Sequence, residues 1–451
     1  MKKNFSSYWI RSAFYSFLQR FSLTFFGFIN LIILVRTLSK EQMGIWALFL
    51  TLTGIFETIK TGLLKNAHIK YASGSTDQQE KVAIASSSLL INVFLSLIFI
   101  LFIIFFSNWL AAWYDMGAQF SSMFKWYIPG LLFLVFFSHL EAIQQSFLDF
   151  KGVFAGYFVR QISFFIVIVV YTIFKIPFSL IDLVIYQSLS TALGTIVFYI
   201  FTRKYLDLKF KATRLWIKKL SAYGSHILGS GVVANIYSNL DQLMVGKLLN
   251  TEAIAVYAIP QKINGLVDIP SYAAADILFP KTSQAATEEG PGKVKYLFER
   301  MVAILIAFTV PTAIFVIIFP KFVIHIIAGD AYATAAPILQ LYMLAGIFRP
   351  LQNQAANLLN SIGKAKLVLI INSVSLVLLL GINYLCLLEF GFYGAAIGTC
   401  ITSVSCMIIW YFVMKKAINL DMLQVLKYTR DTYEKIFELV AKVLLKRKKA
   451  M

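Results

Sequence analysis

Five basic side chains stand inside long apolar stretches of the sequence, where a charge is costly. They are Arg20, Lys60, Arg160, Lys262 and Arg349. A basic side chain at the bilayer centre costs roughly 2.5–3.5 kcal/mol even on a lenient insertion scale. Each must therefore pair with an acid, reach an interface, or face water and an anionic ligand. The chemistry that this set favours is binding of an anion, with all five bases as candidate ligands of it.

Acidic residues in the same stretches are candidate partners, coupling sites or gates. They are Glu57, Asp268, Asp241 and Glu141. Glu57 precedes Lys60 by three residues, so an internal ion pair is expected to account for both. Three of the bases have no acid within one turn of their own helices: Arg20, Arg160 and Arg349. We expect each to pair across helices with Glu141, Asp241 or Asp268, to reach an interface, or to face water and an anionic ligand.

Polar residues also fall at helical spacing, which puts each set on one helical face. Two such sets are Thr53, Glu57 and Lys60, and Asn264, Asp268 and Ser271. Two more are Ser138, Glu141, Gln145 and Asp149, and Arg349, Gln352, Ala356 and Asn360, with Asn353 beside the last. Because lipid offers no hydrogen bonds, these faces are expected to line an aqueous cavity. The alternative is hydrogen bonding between helices.

The elements that position these residues are membrane-spanning helices. The chain is 59% hydrophobic and 14% charged, which excludes an ordinary soluble domain. Long apolar runs recur along it and predict twelve spans. Their approximate ranges are 12–35, 44–64, 83–106, 126–147, 153–174, 180–202, 226–248, 253–278, 301–320, 336–359, 366–388 and 393–414. Pro260 and Pro270 in the eighth span predict a hinge.

The distribution of basic residues predicts that both termini are cytoplasmic. With that orientation 30 of the 41 Lys and Arg residues are cytoplasmic, six are external and five lie inside helices. The net charge of +19 is spread over inner loops without a nucleic-acid motif, so anionic membrane lipid is the expected partner. The tail at 418–449 is expected to form a basic amphipathic helix on the membrane.

A repeat with an offset of 211 residues divides the chain. LSKEQMGIWA at 38–47 is repeated as LNTEAIAVYA at 249–258, and Glu57 aligns with Asp268. At the same offset, Leu148 aligns with Leu359 and Gly152 with Gly363. Six spans per half make the repeats parallel, with a site expected between them. The predicted organisation is a lobe at 1–202, a basic linker at 203–225, a lobe at 226–416 and a tail at 417–451.

These motifs resemble those of a known superfamily. The two junctions, the segment NLDQLMVGKLL at 239–249 and the turns FKG and IGK are similar to those of multidrug/oligosaccharidyl-lipid/polysaccharide (MOP) exporters, in the polysaccharide transporter branch that includes O-antigen flippases. The resemblance covers residues 8 to about 416. It implies an all-α, V-shaped transporter with a central cavity and alternating access. Related lipid II flippases carry cavity bases on helices 1, 2 and 8, where this chain has Arg20, Lys60 and Lys262.

The resemblance implies a flippase that moves a polyprenyl-diphosphate-linked oligosaccharide across the cytoplasmic membrane for surface polysaccharide synthesis. No bond is made or broken, so neither enzymatic activity nor a cofactor or metal is expected, although Na+ or H+ is a possible coupling ion. Other polysaccharide-assembly membrane proteins are possible partners. Two alternatives remain open: a cation-coupled multidrug exporter, which would use the acids, and a membrane polysaccharide polymerase or ligase.

Overall fold

The computed structural model describes residues 2–177, 179–206 and 210–448. Within these ranges the side chains are described except those of 2–13, 61–62, 226–228, 230, 276–277, 280, 287, 436 and 439–448. The chain divides into two compact units, Met1–Ala255 and Val256–Met451. This division falls within the predicted second lobe, because the helix that follows the linker packs in the first unit.

The first unit contains seven long helices and the start of an eighth. They are α1 (Lys2–Thr37), α2 (Lys40–Gly74), α3 (Gln78–Trp113), α4 (Gly117–Ser146), α5 (Phe150–Ile173), α6 (Leu180–Thr202), α7 (Arg214–Leu248) and α8 (Thr251–Val267). α4 packs against α6 and α3, α1 packs against α5, and α7 lies along α2. Polar caps begin several of these helices: Ser39, Asp77, Asp149, Ser179 and Thr213 each accept a backbone N–H bond.

The second unit continues from α8 and is more broken. Its helices are α9 (Ile269–Glu288), α10 (Pro291–Ile318), α11 (Pro320–Ala328), α12 (Ala336–Gly346), α13 (Arg349–Ser361), α14 (Ala365–Phe390), α15 (Gly394–Ile418) and α16 (Met422–Lys448). The eighth and tenth predicted spans are therefore not single helices. The eighth is interrupted at Asp268, and the tenth bends by 45° between its two segments.

All twelve predicted spans fall on helices, but their polarity differs. By length and composition, eight stretches of the described residues are long and apolar enough to cross a membrane, or nine with the bent pair. One of the eight, Ala365–Ile418, contains both α14 and α15. α7, α8 and α9 are not among these stretches, α8 being only 17 residues long, and α8 and α9 carry several of the predicted site residues.

The sequence repeat corresponds to a repeated helix cap. Ser39 Oγ accepts from the N–H of Gln42 at 3.1 Å, and Asn250 Oδ1 accepts from the N–H of Ala253 at 2.8 Å. The two caps are related by the offset of 211. Ser39 precedes α2, which carries Glu57, and Asn250 precedes α8, which ends at the break at Asp268. The LSKE and LNTE motifs are therefore equivalent N-terminal caps.

The predicted register of the second pair of turns is wrong by one helical turn. α4 ends in a turn with Leu148 at a φ of 58°, and α13 ends in a turn with Gly363 at a φ of 81°. In both, the next N–H bonds back to the carbonyl five residues earlier, from Asp149 and from Lys364. These turns are related by an offset of 215. The four additional residues lie between the caps and these turns, in the part of the chain that includes the bend between α12 and α13.

The second half of the predicted linker is helical, since α7 begins at Arg214. The linker's described end is fixed to α3: the N–H groups of Lys211 and Thr213 donate to Ser86 Oγ at 3.0 Å and Ser87 Oγ at 3.1 Å. Asp149, predicted on the polar face of the fourth span, lies instead in the turn before α5 and accepts from Lys204 at 2.9 Å. The linker therefore packs on the first unit.

The turn carboxylate of Asp149 is the charged anchor of the linker. Partial burial raises its pKa, but hydrogen bonds from Lys204, Gly152 and Tyr205 outweigh that effect, so the pKa lies below its ordinary value. Asp149 therefore stays ionised at neutral pH and forms an ion pair with Lys204 that carries no net charge.

The tail forms a helix, as predicted, but its first half packs on protein. Val425 in α16 is fully buried, and the hydroxyl groups of Thr429 and Tyr433 donate to the carbonyls of Ala303 and Ala307 in α10 at 3.4 and 3.0 Å. These contacts fix the start of α16 on α10. The prediction that the tail lies on a membrane surface stays a prediction for the rest of the helix.

Candidate functional site

The centre of the polar face of α2 is Glu57, which is held by residues from two other helices. Arg160 Nη2 of α5 lies 3.8 Å from Glu57 Oε1, and Tyr127 of α4 donates its hydroxyl to the same oxygen at 3.1 Å. The guanidinium of Arg160 also lies 5.1 Å from the ring centroid of Phe137. Arg160 is thus neutralised across helices, by an acid that the sequence did not suggest as its partner.

Lys60 does not form the expected ion pair with Glu57. Its side chain is buried, with 4% exposed, and within the described part of the chain Nζ has no hydrogen-bond partner. Glu57, by contrast, is one-third exposed. The two side chains of the predicted pair therefore lie in different environments, with the acid accessible and the base enclosed.

Glu141 forms the second acidic centre of the first unit. Lys65 Nζ of α2 lies 2.6 Å from Glu141 Oε1, and Gln145 donates to the same oxygen at 3.0 Å. Glu141 is almost fully buried, at 1% exposed. Lys65 was not among the predicted site residues. Its spacing of eight residues from Glu57 puts it near the same face of α2, which was the available signal.

Two hydrogen bonds join α2 to α7, on the side of α2 away from Thr53, Glu57 and Lys60. Asn235 donates to Thr58 Oγ1 at 2.7 Å, and Thr51 donates to Gln242 Oε1. Asp241, the neighbour of Gln242, is buried at 7% exposed. Gly224 of α7 allows close approach to the carbonyl of Leu63 in α2, and Gly44 of α2 allows close approach to the carbonyl of Thr251 at the start of α8. α2 is thereby bonded to α7 in its middle and packed tightly against α7 at one end and against α8 at the other.

In the second unit, one arginine connects two interruptions of the helical structure. Arg349 Nη1 donates to Asp268 Oδ2 at 2.6 Å. With its amide oriented to satisfy both groups, Asn264 accepts from Nη1 and Nη2 of Arg349 at 2.8 Å each. Asp268 lies between α8 and α9, and Arg349 begins α13 after the bend. The ion pair predicted as one option for Arg349 therefore forms, at the junction of two broken spans.

Glutamines of α13 extend this network. Gln354 donates to the carbonyl and the hydroxyl of Ser271 at 2.8 and 3.2 Å, and Gln352 donates to the carbonyl of Ser403 in α15 at 2.8 Å. Gln354 is fully buried and was missed because it lies one position outside the predicted face. Gln352 and Ser271 thus bind protein groups in this structure.

The remaining predicted lining residues differ in accessibility. Thr53 is buried and donates to the carbonyl of Phe49 in its own helix at 2.8 Å. Asn353 is half-buried and Asn360 is exposed at the end of α13. Thr53 is therefore a helix-internal contact here, whereas the two asparagines retain accessible amides.

Lys262 differs from the paired arginines. It is exposed on α8, and no carboxylate of the described residues lies within ion-pair distance of it. Arg20 on α1 is also exposed. α8 continues through Pro260, whereas Pro270 lies in the first turn of α9, directly after the break. The helix is interrupted at only one of the two predicted hinge prolines.

Comparison with known proteins identifies the family. The model of a family described as "Polysaccharide biosynthesis protein" matches residues 33–337, more than half of the chain. The chain belongs to this polysaccharide biosynthesis family. A second model, described as "Lipid II flippase MurJ", matches residues 248–447.

Proteins from different organisms are similar in sequence to this chain. An uncharacterized membrane protein in the cps region of Klebsiella pneumoniae is 21% identical over 417 residues, covering 91% of this chain and 83% of the relative. The probable low-salt glycan biosynthesis flippase Agl15 of Haloferax volcanii is 21% identical over 185 residues, covering 41% and 39%. The first relative is described as a membrane protein, and with its long apolar helices this chain is a multi-pass membrane protein.

Solved structures establish the fold. The lipid II flippase MurJ in an inward closed conformation has a TM-score of 0.76 at 14% identity, covering 95% of this chain and 93% of that one. An inward-facing multidrug resistance MATE family transporter of the MOP superfamily has a TM-score of 0.75 at 15% identity, covering 88% and 94%. The protein therefore has the all-α MOP transporter fold.

Proposed function

We propose that this polysaccharide biosynthesis protein is a flippase that translocates a polyprenyl-diphosphate-linked oligosaccharide from the inner to the outer leaflet of the cytoplasmic membrane. The family, the MOP fold, the MurJ match over residues 248–447 and the similarity to a probable glycan biosynthesis flippase support this proposal. Both termini face the cytoplasm in this proposal. The protein acts as a transporter by alternating access and not as an enzyme.

The observation that carries the proposal is the accessible, unneutralised base Lys262. Arg160 and Arg349 each lie against a carboxylate, so they offer little net charge to a ligand. Lys262 lies in a predicted span and has no such acid among the described residues. Since an uncompensated base at bilayer depth is costly, its retention favours an anionic ligand. Arg20, exposed on α1, is the second base assigned to that ligand.

The electrostatic attraction is large enough to matter for a diphosphate. At 4 Å and an effective dielectric constant near 20, one pair of unit charges contributes about 4 kcal/mol before desolvation. Lys262 and Arg20 would replace part of the hydration that the diphosphate loses on entering the membrane. Exposed or half-buried amides, such as those of Asn353 and Asn360, suit sugar hydroxyls. The lipid chain stays in the bilayer, and no covalent bond of the saccharide is broken.

Glu57 and Asp268 are the residues at which we propose that a coupling ion acts. They occupy equivalent positions in the repeat and each is bound to an arginine. Protonation of either acid, or Na+ binding to it, would release its arginine. This would link ion binding to the rearrangement of helices that alternating access requires.

The main rival is a cation-coupled multidrug exporter, which the MATE fold equally accommodates. A cationic drug would need acidic residues with unneutralised charge. In this structure Glu57, Glu141 and Asp268 are each paired with a base. These pairs favour the anionic substrate over the cationic one.

Mass spectrometry of lipids that copurify with the protein tests the proposal. We expect a diphosphate-linked polyprenyl oligosaccharide in preparations of the unaltered protein, and several-fold less of it in Lys262→Ala. Lys281→Ala is a matched control on α9, because it removes an exposed lysine that has no assigned role. Retention of cationic amphiphiles instead of the saccharide lipid would favour the exporter. Elongation of the saccharide by the purified protein would favour a polymerase.

A further inference from the structure

The first unit has a groove separate from the polar residues of the candidate site. It lies between α2, α3, α4, α6 and the linker, has a volume of about 530 Å³ and is mostly apolar. Along α4 it extends from Phe133 to Phe147, which is on the order of 20 Å at 1.5 Å per residue. Exposed Phe136 and Ile196 line its apolar part. This length spans one leaflet, since half of a ~30 Å hydrocarbon core is about 15 Å.

The depth of the groove follows from the contacts between α3 and α4. Asn92 donates to the carbonyl of Val135 at 3.1 Å and to Ser138 Oγ at 3.0 Å, which puts these residues at one level. The long apolar run of α3 starts just before Asn92, after the serines at 86–88. Position 139 of α4 therefore lies near the boundary between hydrocarbon and lipid headgroups. This boundary belongs to the leaflet on the linker side, which the charge distribution predicts to be cytoplasmic.

Two buried histidines lie in the groove wall at this boundary. His68 and His139 are 1% and 8% exposed, and their ring centroids are 5.8 Å apart. In the described part of the chain neither Nδ1 has a hydrogen-bond partner. The two imidazoles form a polar level in the wall of an otherwise mostly apolar groove, and each has a second ring nitrogen, Nε2, that can donate or accept a hydrogen bond.

The mouth of the groove carries an uncompensated positive charge. Lys81 lines it, with Nζ at 4.7 Å from the ring centroid of Phe147, and no described carboxylate lies within ion-pair distance of Nζ. Nearby Lys204 is neutralised by Asp149 at 2.9 Å. Lys81 lies two to three turns of α3 further toward the headgroups than Leu89, where the apolar run begins. A phosphate at that level would meet Lys81.

We propose that this groove is a binding site for an anionic glycerophospholipid of the linker-side leaflet. One acyl chain lies along Phe136 and Ile196. A glycerol ester oxygen accepts from the imidazole N–H of His68 or His139, and the headgroup phosphate contacts Lys81. The three parts of the lipid match the apolar, neutral polar and cationic levels of the groove in order. Because Ser86 lines the same groove and bonds the linker, the bound lipid stabilises the linker on α3.

Photo-crosslinking of the full chain in nanodiscs tests this site. The probe is phosphatidylglycerol with a diazirine in one acyl chain, and phosphatidylcholine with the same chain is the neutral comparison. We expect phosphatidylglycerol to label peptides that contain 133–140 and 192–199 preferentially. Lys81→Gln should lower this labelling about fivefold, as expected for loss of one lysine contact with an anionic lipid. Lys151→Gln, an exposed lysine on the same side outside the groove, should not.

A second pair of variants tests the apolar part without changing charge. Ala192→Trp places an indole in the groove, whereas the adjacent Leu193→Trp replaces an exposed side chain outside it. Labelling should fall only in Ala192→Trp. Equal labelling by both lipids, labelling spread evenly over lipid-facing helices, or no effect of Ala192→Trp would each overturn the proposal. Displacement of the probe by a polyprenyl phosphate, but not by phosphatidylglycerol, would assign the groove to a different lipid and also overturn it.

Discussion

Arg349 and Asp268 join two interruptions in the second unit, with Nη1 and Oδ2 only 2.6 Å apart. Asp268 is buried and lies between α8 and α9, and Arg349 begins α13 after the 45° bend. A charge-assisted bond of this kind stabilises two helix ends that lack continuous backbone hydrogen bonding. Its release would free both interruptions together, which is what a transport cycle with moving half-helices requires.

The Arg349–Asp268 pair predicts an asymmetry between single and double variants. Arg349→Ala leaves the buried Asp268 carboxylate unpaired, and we expect a loss of roughly 3 kcal/mol in stability. The double variant Arg349→Gln/Asp268→Asn removes both charges and should recover much of that loss. Thermal unfolding of the purified proteins in detergent measures this. The single variants Arg349→Gln and Asp268→Asn complete the cycle, and a loss in the double variant equal to the sum of their losses would show that the two residues are not coupled.

Glu57 is predicted to be required for transport and not for folding. It is one-third exposed and lies 3.8 Å from Arg160. Glu57→Gln keeps the shape and the acceptor for Tyr127, but it removes the charge that neutralises the arginine. We expect glycan export to fall at least tenfold while the amount of protein in the membrane is unchanged. The control is Glu252→Gln, an exposed acid. A fall in membrane abundance equal to the fall in export would assign Glu57 a structural role only.

Gly44 is predicted to be essential for the close approach of α2 to the start of α8. A Cβ atom at this position would lie 1.8 Å from the carbonyl oxygen of Thr251, so the backbone must shift. A Cβ atom at Gly54, ten residues along the same helix, would meet nothing within 4 Å. Gly44→Ala should therefore lower the unfolding temperature or export, and Gly54→Ala should change neither. Similar behaviour of both variants would contradict the packing described at this contact.

The sequence predicted features that depend on local patterns. The repeat predicted equivalent junctions at 38–47 and 249–258, and in the structure each is a helix cap, in which a side chain bonds a backbone group only a few residues away. The break near Asp268 was indicated by Pro270. Pro260 carried the same signal, yet α8 continues through it because neighbouring packing compensates for a lost backbone bond.

Features that depend on the packing of distant helices could not be predicted in this way. Arg160 pairs with Glu57 across about a hundred residues, and no spacing rule relates α5 to α2. The offset between the halves changes from 211 at the caps to 215 at the second turns, because the intervening helices and turns of the two halves differ in length. Conversely, the local rule that pairs Glu57 with Lys60 failed, because tertiary contacts of Arg160 and Tyr127 took the carboxylate.

Topology is tested by fusions at the two basic segments. Because Lys and Arg residues are concentrated in the linker and the tail, a reporter inserted near Lys211 or fused after Lys449 should be cytoplasmic. At each site, an alkaline phosphatase fusion reports an external position and a green fluorescent protein fusion reports a cytoplasmic one. A fusion after Thr37, between the first two helices, is the external control. Linker and tail on opposite sides would contradict the six-plus-six organisation.

Translocation in proteoliposomes tests the central claim most directly. The protein is reconstituted with a polyprenyl-diphosphate oligosaccharide, and a membrane-impermeant glycosidase measures the fraction of glycan that reaches the outer surface. With the unaltered protein we predict that all of the glycan becomes accessible to the glycosidase. With Arg20→Ala/Lys262→Ala we predict that little more than half becomes accessible, as in vesicles without protein. Lys262→Arg should retain more activity than Lys262→Ala, because the diphosphate responds mainly to charge. Equal translocation by the unaltered protein and the double variant would contradict the assignment of these bases to an anionic substrate.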